Sequence, residues 1–402
     1  MTDRVKLTFW NYNDFSGYKP HMLRDWIECG MTDSISPQFS FKRHSHDDFR
    51  AFLDDALTLG TNVIIQVDEL FLDNALNDGY EDRVKEIYEE FGTHPAVTGA
   101  YVGEEPSFEY NENYKTGVRI LKKYFTDKHV YINLGTTERT ERMLLIKTGQ
   151  TLGEWCGEMV RDSHADMIGF GCYSQLMANG IGVYEHFDNL RQFSKVGRET
   201  GAEIWATMLS SSHDTYRIPT EDDFRWQLNT CVACGCRGVV WFRLYDKLIA
   251  GDYHGSPIDE FGEKTVHYQD LARVQKKFNE HYGKIFAMLR YQNTYVIGRS
   301  HGGYLFFLPG MNDLVESASS RSAIISFFKD DDGGDWIAIV NTLQTESGPV
   351  ILNFSEKVNK AEKVYRNGEV KNAMFARNGR AGTISSGEIW LTPGQMELIK
   401  LS

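Results

Sequence analysis

Two acidic residues stand side by side at the end of an apolar stretch, Glu104 and Glu105 in the segment GAYVGEEPSF. The preceding residues, 100–102, are typical of a buried strand in a parallel sheet, because such strands are nearly continuous apolar runs. Paired carboxyl groups can donate and accept protons, which is the chemistry of general acid–base catalysis. Asp68 follows another apolar stretch, NVIIQV, in the same manner. We therefore predict Glu105, Glu104 and Asp68 as catalytic residues.

The other residues at the ends of apolar stretches are aromatic rings, amides and one arginine. Aromatic rings can stack on sugar rings, amides can bind hydroxyl groups, and cleavage of a glycosidic bond requires carboxyl groups. Neither a Cys/His ligand cluster nor a Ser-His-Asp arrangement accompanies them, so we predict no metal and no cofactor. The predicted substrate-binding residues are Trp10, Asn11, Tyr12, Gln38, Gln66, Asn133, Tyr173, Trp241 and Arg243.

An eightfold alternation of strands and helices would bring these residues together. Across residues 1–290, short apolar stretches alternate with amphipathic stretches eight times, which predicts a (β/α)8 barrel. One of the helices is expected to begin after Ser45, a capping residue, and to end at Gly60. The absence of a glycine-rich phosphate loop after the first strand favours this barrel over a doubly wound open sheet. Active sites of such barrels lie at the carboxyl ends of the strands.

The pattern changes near Tyr295. From there the sequence contains short strand-like segments, such as GYLFFLP and SAIISFFKD, separated by Gly, Asn and Asp turns. Segments of this kind without helical periodicity are typical of an all-β sandwich. We therefore predict two domains, a barrel over residues 1–290 that carries the site and a β-sandwich over residues 291–402.

Composition narrows the range of partners. The 402 residues carry a formal net charge of −13 without a dense Lys/Arg run, which argues against nucleic acid or an anionic membrane as partner. No apolar stretch approaches the length of a membrane span. We expect a cytoplasmic protein, or a secreted one if a signal peptide preceded this chain, and the sequence does not indicate an oligomeric state. The cysteines show no disulfide pattern, and CVACGC after a helical run favours buried thiols over a metal site.

The order of these segments resembles the (β/α)8 glycoside hydrolases of the β-galactosidase and cellulase clan. HPAVTGAYVGEEPSF is similar to that clan's fourth strand, which ends in Asn-Glu or Asp-Glu. The resemblance implies that Glu105 is the general acid/base and that Glu104 holds a substrate hydroxyl. DMIGFGCYS resembles a sixth strand ending in Tyr173, and GVVWFRLYD resembles an eighth strand with Trp241 as its terminal aromatic residue. The segment DWIAIVNTLQTESGPVILNF resembles the clan's C-terminal sandwich.

Strand seven departs from this resemblance. The clan carries its nucleophilic Glu at the end of that strand, where EIWATMLSSSH places Met208 or Leu209, and Glu203 lies at the opposite end. The retaining pair of carboxylates is therefore incomplete. Strand alternation further predicts that only one of Glu104 and Glu105 faces the barrel axis, and the resemblance selects Glu105.

We therefore expect a glycoside hydrolase that cleaves O-glycosidic bonds of an oligo- or polysaccharide. Its second carboxylate would be Asp68, or the more distant Asp246, in a water-mediated inverting reaction. Two alternatives stay open, because fold does not determine function. The barrel could bind carbohydrate without catalysis, or it could act as a carbohydrate lyase or isomerase.

Overall fold

Eight parallel strands form a barrel in a computed structural model, which describes residues 4–106, 110–136, 140–177, 182–246, 253–379 and 382–402. Each strand pairs with its neighbour in the chain from β2 to β8, and β8 pairs with β1. This arrangement confirms the predicted barrel. The strands are β1 (Lys6–Phe9), β2 (Asp33–Ile35), β3 (Asn62–Gln66), β4 (Val97–Glu104), β5 (His129–Leu134), β6 (Met167–Gly171), β7 (Glu203–Leu209) and β8 (Gly238–Phe242).

Thr32, directly before β2, links β2 to β1 where the barrel closes. Its amide donates to the Leu7 carbonyl at 2.8 Å, and its hydroxyl accepts from the Leu7 amide at 2.8 Å. When a sheet closes into a barrel, each strand needs hydrogen-bond partners on both sides. These two bonds supply such partners to β1 on the side opposite β8.

The helices surround the barrel. Helix α2 begins after Ser45, whose hydroxyl accepts from the Asp48 amide at 3.2 Å, and it ends at Gly60 with a left-handed φ of 72°, as predicted. Within the described ranges, no helix has the length and apolar character needed to cross a bilayer. Helix α5 was not predicted from the sequence. The helices are α1 (His21–Glu28), α2 (His46–Leu59), α3 (Tyr80–Ile87), α4 (Asn111–Tyr124), α5 (Arg142–Thr148), α6 (Leu152–Ser163), α7 (Gly182–Thr200), α8 (Glu221–Ala233), α9 (Val266–Phe278) and α10 (Lys284–Met288).

Large aromatic rings fill the barrel interior beside glycines on neighbouring strands. A Cβ atom at Gly238 would lie 2.3 Å from the Trp205 ring, and one at Gly169 would lie 2.6 Å from the Tyr131 ring. The missing side chains therefore make room for the rings. The interior cluster consists of Trp10, Ile35, Ile64, Tyr101, Tyr131, Met167, Leu176, Trp205, Leu209, Val240 and Phe242.

In the described part of the chain after α10, ten strands form two antiparallel sheets, which confirms the predicted all-β region. One sheet has the order β10-β13-β17-β16, and the other has the order β15-β14-β18-β12-β11-β9. The sequence predicted fewer strands, because β10, β15 and β16 carry little apolar pattern and β17 and β18 were predicted as one segment. Among the described residues, the predicted segment GYLFFLP forms only a single bridge, from Phe306 to Val296. The strands are β9 (Arg290–Ile297), β10 (Val315–Ser320), β11 (Ala323–Lys329), β12 (Asp335–Asn341), β13 (Gly348–Phe354), β14 (Ala361–Val364), β15 (Val370–Asn372), β16 (Ala376–Arg377), β17 (Ile384–Leu391) and β18 (Met396–Leu401).

The six-stranded sheet packs against the barrel through α8. Trp226 of this helix is fully buried, and its indole donates to the Thr342 carbonyl at 2.9 Å. The amide of Asn229, one turn further on, donates to the Gly394 carbonyl at 2.8 Å. Residues of β12 and β18 join the same hydrophobic core as the barrel helices. The sheet is therefore attached to the outer, helical side of the barrel.

The glycine–aromatic contacts predict a stability effect. Gly238→Ala should lower the free energy of unfolding by about 1–3 kcal/mol, because the new methyl group overlaps the rigid Trp205 ring. Urea unfolding measures this difference. Gly348→Ala is the matched control, because Gly348 also lies in a strand and a Cβ there meets no atom within 4 Å. Equal stability of the two variants would contradict this account of the interior.

Candidate functional site

Phe242, the last residue of β8, is the centre of an aromatic cluster at the carboxyl end of the barrel. The rings of Trp10 and Tyr12 stack with centroids 5.2 Å apart, and the Phe242 ring meets Tyr12 edge-on at 5.6 Å. Tyr173, after β6, stacks on Phe242 at 5.3 Å. Three of the predicted residues, Trp10, Tyr12 and Tyr173, are therefore brought together around one that was not predicted.

Trp241 does not belong to this cluster, and its predicted role in substrate binding is corrected here. Its side chain is fully buried, its indole donates to Gln275 of α9 at 3.0 Å, and its ring packs edge-on against Phe224 of α8. Adjacent strand residues point to opposite faces. Val240 faces the interior, so Phe242, two residues further along β8, also points inward, and Trp241 between them points outward.

Asn11 also has a different role from the predicted one. Its side chain is fully buried. Its amide nitrogen donates to the Ile35 carbonyl at 3.2 Å, and its amide oxygen accepts from the Asn13 backbone at 3.2 Å. Asn11 therefore joins the ends of β1 and β2, and no part of it is exposed for a ligand.

A β-bulge in β4 determines the direction of Glu104. Tyr101 pairs with Tyr131, but the next pairs are Gly103 with Ile132 and Glu104 with Asn133, so that Val102 is an extra residue. The extra residue reverses the alternation beyond it. Glu104 therefore shares the inner face with Tyr101, whereas a regular strand would have turned Glu104 outward.

Both acids lie within electrostatic reach of the tyrosines of the aromatic cluster, and the catalytic role of Glu105 stays a prediction. Burial raises the pKa of Tyr12 well above its usual range, and the negative charges of Glu104 and, less strongly, Glu105 raise it further. Burial, Tyr12 and the same two acids raise the pKa of Tyr173. Such effects require proximity. Alternation does not apply to Glu105, because its φ of 38° turns the chain out of the strand.

Polar side chains form the floor beneath Glu104. Gln66 pairs with Tyr101 on the neighbouring strand, and Asn133 pairs with Glu104 itself. Three of their atoms, Gln66 Oε1, Tyr101 Oη and Asn133 Oδ1, are buried without a hydrogen-bond partner in the described part of the chain. These atoms are closed to solvent, and the substrate-binding roles of Gln66 and Asn133 stay predictions.

Asp68 and Gln38 form a separate hydrogen-bonded group after β3. Gln38 Nε2 donates to one oxygen of Asp68 at 2.9 Å, and Arg43 Nη2 lies 3.2 Å from the other. The Asp68 side chain is 29% exposed. The structure does not bring Asp68 into a described contact with Glu105, and its catalytic role stays a prediction.

The end of β7 carries a buried leucine. Leu209 faces the interior cluster, whereas Met208 belongs to the core under the helices. Gln227 of α8 holds the strand end, accepting from the Leu209 amide and donating to the Leu209 carbonyl, each at 3.0 Å. Gln175 donates to the same Gln227 oxygen at 2.9 Å. The position of the clan nucleophile is therefore apolar, as the sequence indicated.

Arg243 lies beside the aromatic cluster. Its guanidinium carbon is 5.4 Å from the centre of the Tyr12 ring and 4.9 Å from that of Tyr253. Its Nε donates to the Tyr245 carbonyl at 2.6 Å. The residue is only 4% exposed, and this burial lowers the pKa of the guanidinium. Arginine nevertheless stays charged at neutral pH.

The cysteines take no part in this site. All six are buried and free of disulfide bonds, and burial raises the pKa of the Cys234 thiol to about 12. Across the described ranges, no group of three or more His, Cys, Asp and Glu residues is placed to hold a metal ion. Burial also raises the pKa of the Cys29, Cys156 and Cys231 thiols, and protonated thiols are poor nucleophiles and poor metal ligands.

The Gln227 contacts predict a stability effect at the site. Gln227→Leu should lower the free energy of unfolding by about 2–4 kcal/mol, because it leaves both backbone groups of Leu209 and the Gln175 amide without their partner. Gln344→Leu is the matched control, since the half-buried Gln344 makes one bond, to the Gln175 carbonyl at 2.8 Å. Urea unfolding that shows equal losses for the two variants would contradict the role given to Gln227.

No family model matches the sequence, and no curated protein matches it. Solved structures are similar in fold. A catalytic mutant of a GH42 β-galactosidase from G. stearothermophilus is 9% identical, with a TM-score of 0.63 over 100% of this chain and 98% of that one. A family 39 glycoside hydrolase from the gut symbiont Bacteroides cellulosilyticus WH2 is 11% identical, with a TM-score of 0.55 over 100% and 81% of the two chains. The chain therefore shares the fold of these glycoside hydrolases.

Proposed function

We propose that this protein hydrolyses O-glycosidic bonds, with Glu104 and Glu105 as its proton-transfer groups. One observation carries the proposal: the bulge in β4 turns Glu104, with Glu105 next in the chain, toward the inner face of a (β/α)8 barrel at its carboxyl end, where Trp10, Tyr12, Tyr173 and Phe242 form an aromatic cluster. This is the end at which barrels of this type carry out chemistry. The similar structures are described as glycoside hydrolases, which agrees with the proposal.

The two carboxyl groups would have different tasks. Glu105 corresponds to the general acid/base of the clan that the sequence resembles, so it would protonate the leaving oxygen. Glu104 lies opposite Asn133 on the inner face, where it would act on water or on the positive charge that develops at the sugar ring. Glu104 thereby replaces Asp68 as the proposed second carboxyl group.

The surrounding side chains would bind the sugar. The faces of Tyr12 and Phe242 offer apolar surface for a sugar ring, as aromatic side chains do in general. Tyr173, which stacks on Phe242, would extend this apolar surface. This arrangement supports a carbohydrate as the ligand, whatever the chemistry.

Leu209 favours a second candidate function, carbohydrate binding without catalysis. It stands where the clan has its nucleophile, and it is fully buried. A barrel without a second carboxyl group across the cleft could retain a sugar site and lose turnover. Binding without product formation would distinguish this function from hydrolysis, and an unsaturated product that absorbs in the ultraviolet would indicate a lyase.

Substitution of the acids tests the proposed roles. Glu105→Gln should lower kcat/KM by about 100-fold or more for alkyl glycosides, whose leaving groups require protonation, and much less for dinitrophenyl glycosides. Glu104→Gln should slow both kinds of substrate similarly, because its role does not depend on the leaving group. Initial rates over a panel of glucosides, galactosides and fucosides measure both effects.

Asp68→Asn is the control for these variants. It should change turnover far less, because the Asp68 oxygens are occupied by Gln38 and Arg43. A loss in Asp68→Asn as large as that in Glu105→Gln would restore Asp68 as the second catalytic carboxyl group. Unchanged rates in both glutamine variants would exclude the proposed mechanism.

The two neighbouring aromatic residues of β8 supply a further test. Phe242→Leu should weaken sugar binding about 2–10-fold, because it removes aromatic contacts within the cleft. Trp241→Phe should leave sugar binding unchanged and lower the free energy of unfolding by about 1–3 kcal/mol, because it breaks the bond to Gln275. Calorimetric titration and urea unfolding separate the two effects, and the reverse assignment would contradict the strand orientation described here.

A further inference from the structure

Arg243 is a buried cation whose charge has no carboxylate partner in the described residues. Its Nε is occupied by the Tyr245 carbonyl. Its two terminal nitrogens make no hydrogen bond or ion pair within the described part of the chain, and neither is among the unpartnered atoms sealed from solvent. Each of them therefore keeps some contact with solvent, with donor hydrogens that no described residue uses. A buried charge in this state is costly unless a partner arrives.

Two tyrosine rings and one carbonyl hold Arg243 in place, and none of them accepts a hydrogen bond from its terminal nitrogens. Tyr12 and Tyr253 flank the guanidinium. Asp246 is the carboxylate whose charge acts on it. Its Oδ1 accepts from the Ser256 hydroxyl and from the Ser256 amide at 3.3 Å. Asp246 is therefore committed to its own loop.

Arg243 belongs to the same cleft as the two acids, with Tyr12 between them. The Tyr12 pKa responds both to the negative charge of Glu104 and to the positive charge of Arg243. Neither acid forms a described ion pair with the guanidinium. The cleft thus has an acidic side at β4 and a cationic side at β8.

We propose that the substrate is a glycoside of a sugar acid, and that the terminal nitrogens of Arg243 bind the sugar carboxylate. This proposal rests on the proposed function in one respect, since it takes the cleft to be a sugar site. A guanidinium presents two parallel N–H groups that match the two oxygens of a carboxylate. A neutral sugar would cover Arg243 and leave its charge unpaired, whereas a uronic acid would neutralise it.

The test compares binding of D-glucuronate and D-galacturonate with that of D-glucose and D-galactose by calorimetric titration. At least one uronate should bind about tenfold or more tightly than its neutral counterpart, since hydrogen bonds to charged groups are the strong ones. Arg243→Gln should abolish this preference, measured as the ratio of the uronate affinity to the neutral-sugar affinity, because it removes the charged contact. The 6-sulfate of galactose should bind more weakly than galacturonate.

Two further variants control the experiment. Arg243→Lys keeps the positive charge but lacks the two parallel N–H groups of the guanidinium, and it should retain part of the preference. This variant also tests the site if the glutamine variant folds poorly. Arg321→Gln removes an exposed arginine of the C-terminal domain that pairs with Glu346, and it should retain the full preference. Equal binding of acidic and neutral sugars, no uronate binding, tighter sulfate binding, or a preference that survives Arg243→Gln would overturn the proposal.

Failure of this proposal is distinguishable from failure of the proposed hydrolysis. Turnover of neutral glycosides without uronate preference would remove the sugar acid and leave hydrolysis intact. Uronate binding that depends on Arg243 without turnover of any uronide would support the sugar acid and favour the binding protein.

Discussion

The parallel pairing that closes the barrel determines which side chains face its interior, and the site depends on a register shift near the end of β4. Seven strands keep their alternation to the end, so that residues such as Val240 and Phe242 point inward together. In β4 the extra residue Val102 shifts the register. Without that shift, Glu104 would point toward the helices. The bulge therefore places Glu104 at the inner face, and the positive φ of Glu105 turns the chain out of the strand directly after it.

The acidic and cationic groups of the cleft come from different segments of the barrel, on either side of Tyr12. The acids come from β4, and the cation comes from the segment after β8. Tyr12 follows β1, which pairs with β8, so it lies beside Arg243 and within the electrostatic reach of Glu104. Burial raises the pKa of this tyrosine, and its hydroxyl therefore stays neutral between the opposite charges. A cleft of this kind favours a ligand that has a reacting oxygen at one end and a negative charge at the other.

The C-terminal domain is connected to the site through buried amides. Gln344 of that domain donates to the Gln175 carbonyl, Gln175 donates to Gln227, and Gln227 holds the end of β7. The sheet also packs on α8, the helix that carries Gln227. Each of these amides satisfies backbone or side-chain groups that would otherwise be buried without partners. The second domain thereby supports the position of strand seven, although it contributes no acid to the cleft.

The sequence by itself determined the barrel, the all-β region and the general location of the site, because apolar periodicity and turn residues report burial along one chain. It also located the acids at the end of β4 and the missing acid at the end of β7. Only the tertiary structure decided which neighbours face inward. It turned Trp241 and Asn11 into structural residues and brought Phe242 into the cleft, and among the described residues it gave Arg243 no carboxylate partner. These outcomes depend on the register between strands and on contacts between distant segments, such as Trp241 with Gln275, and no local pattern along the chain specifies either.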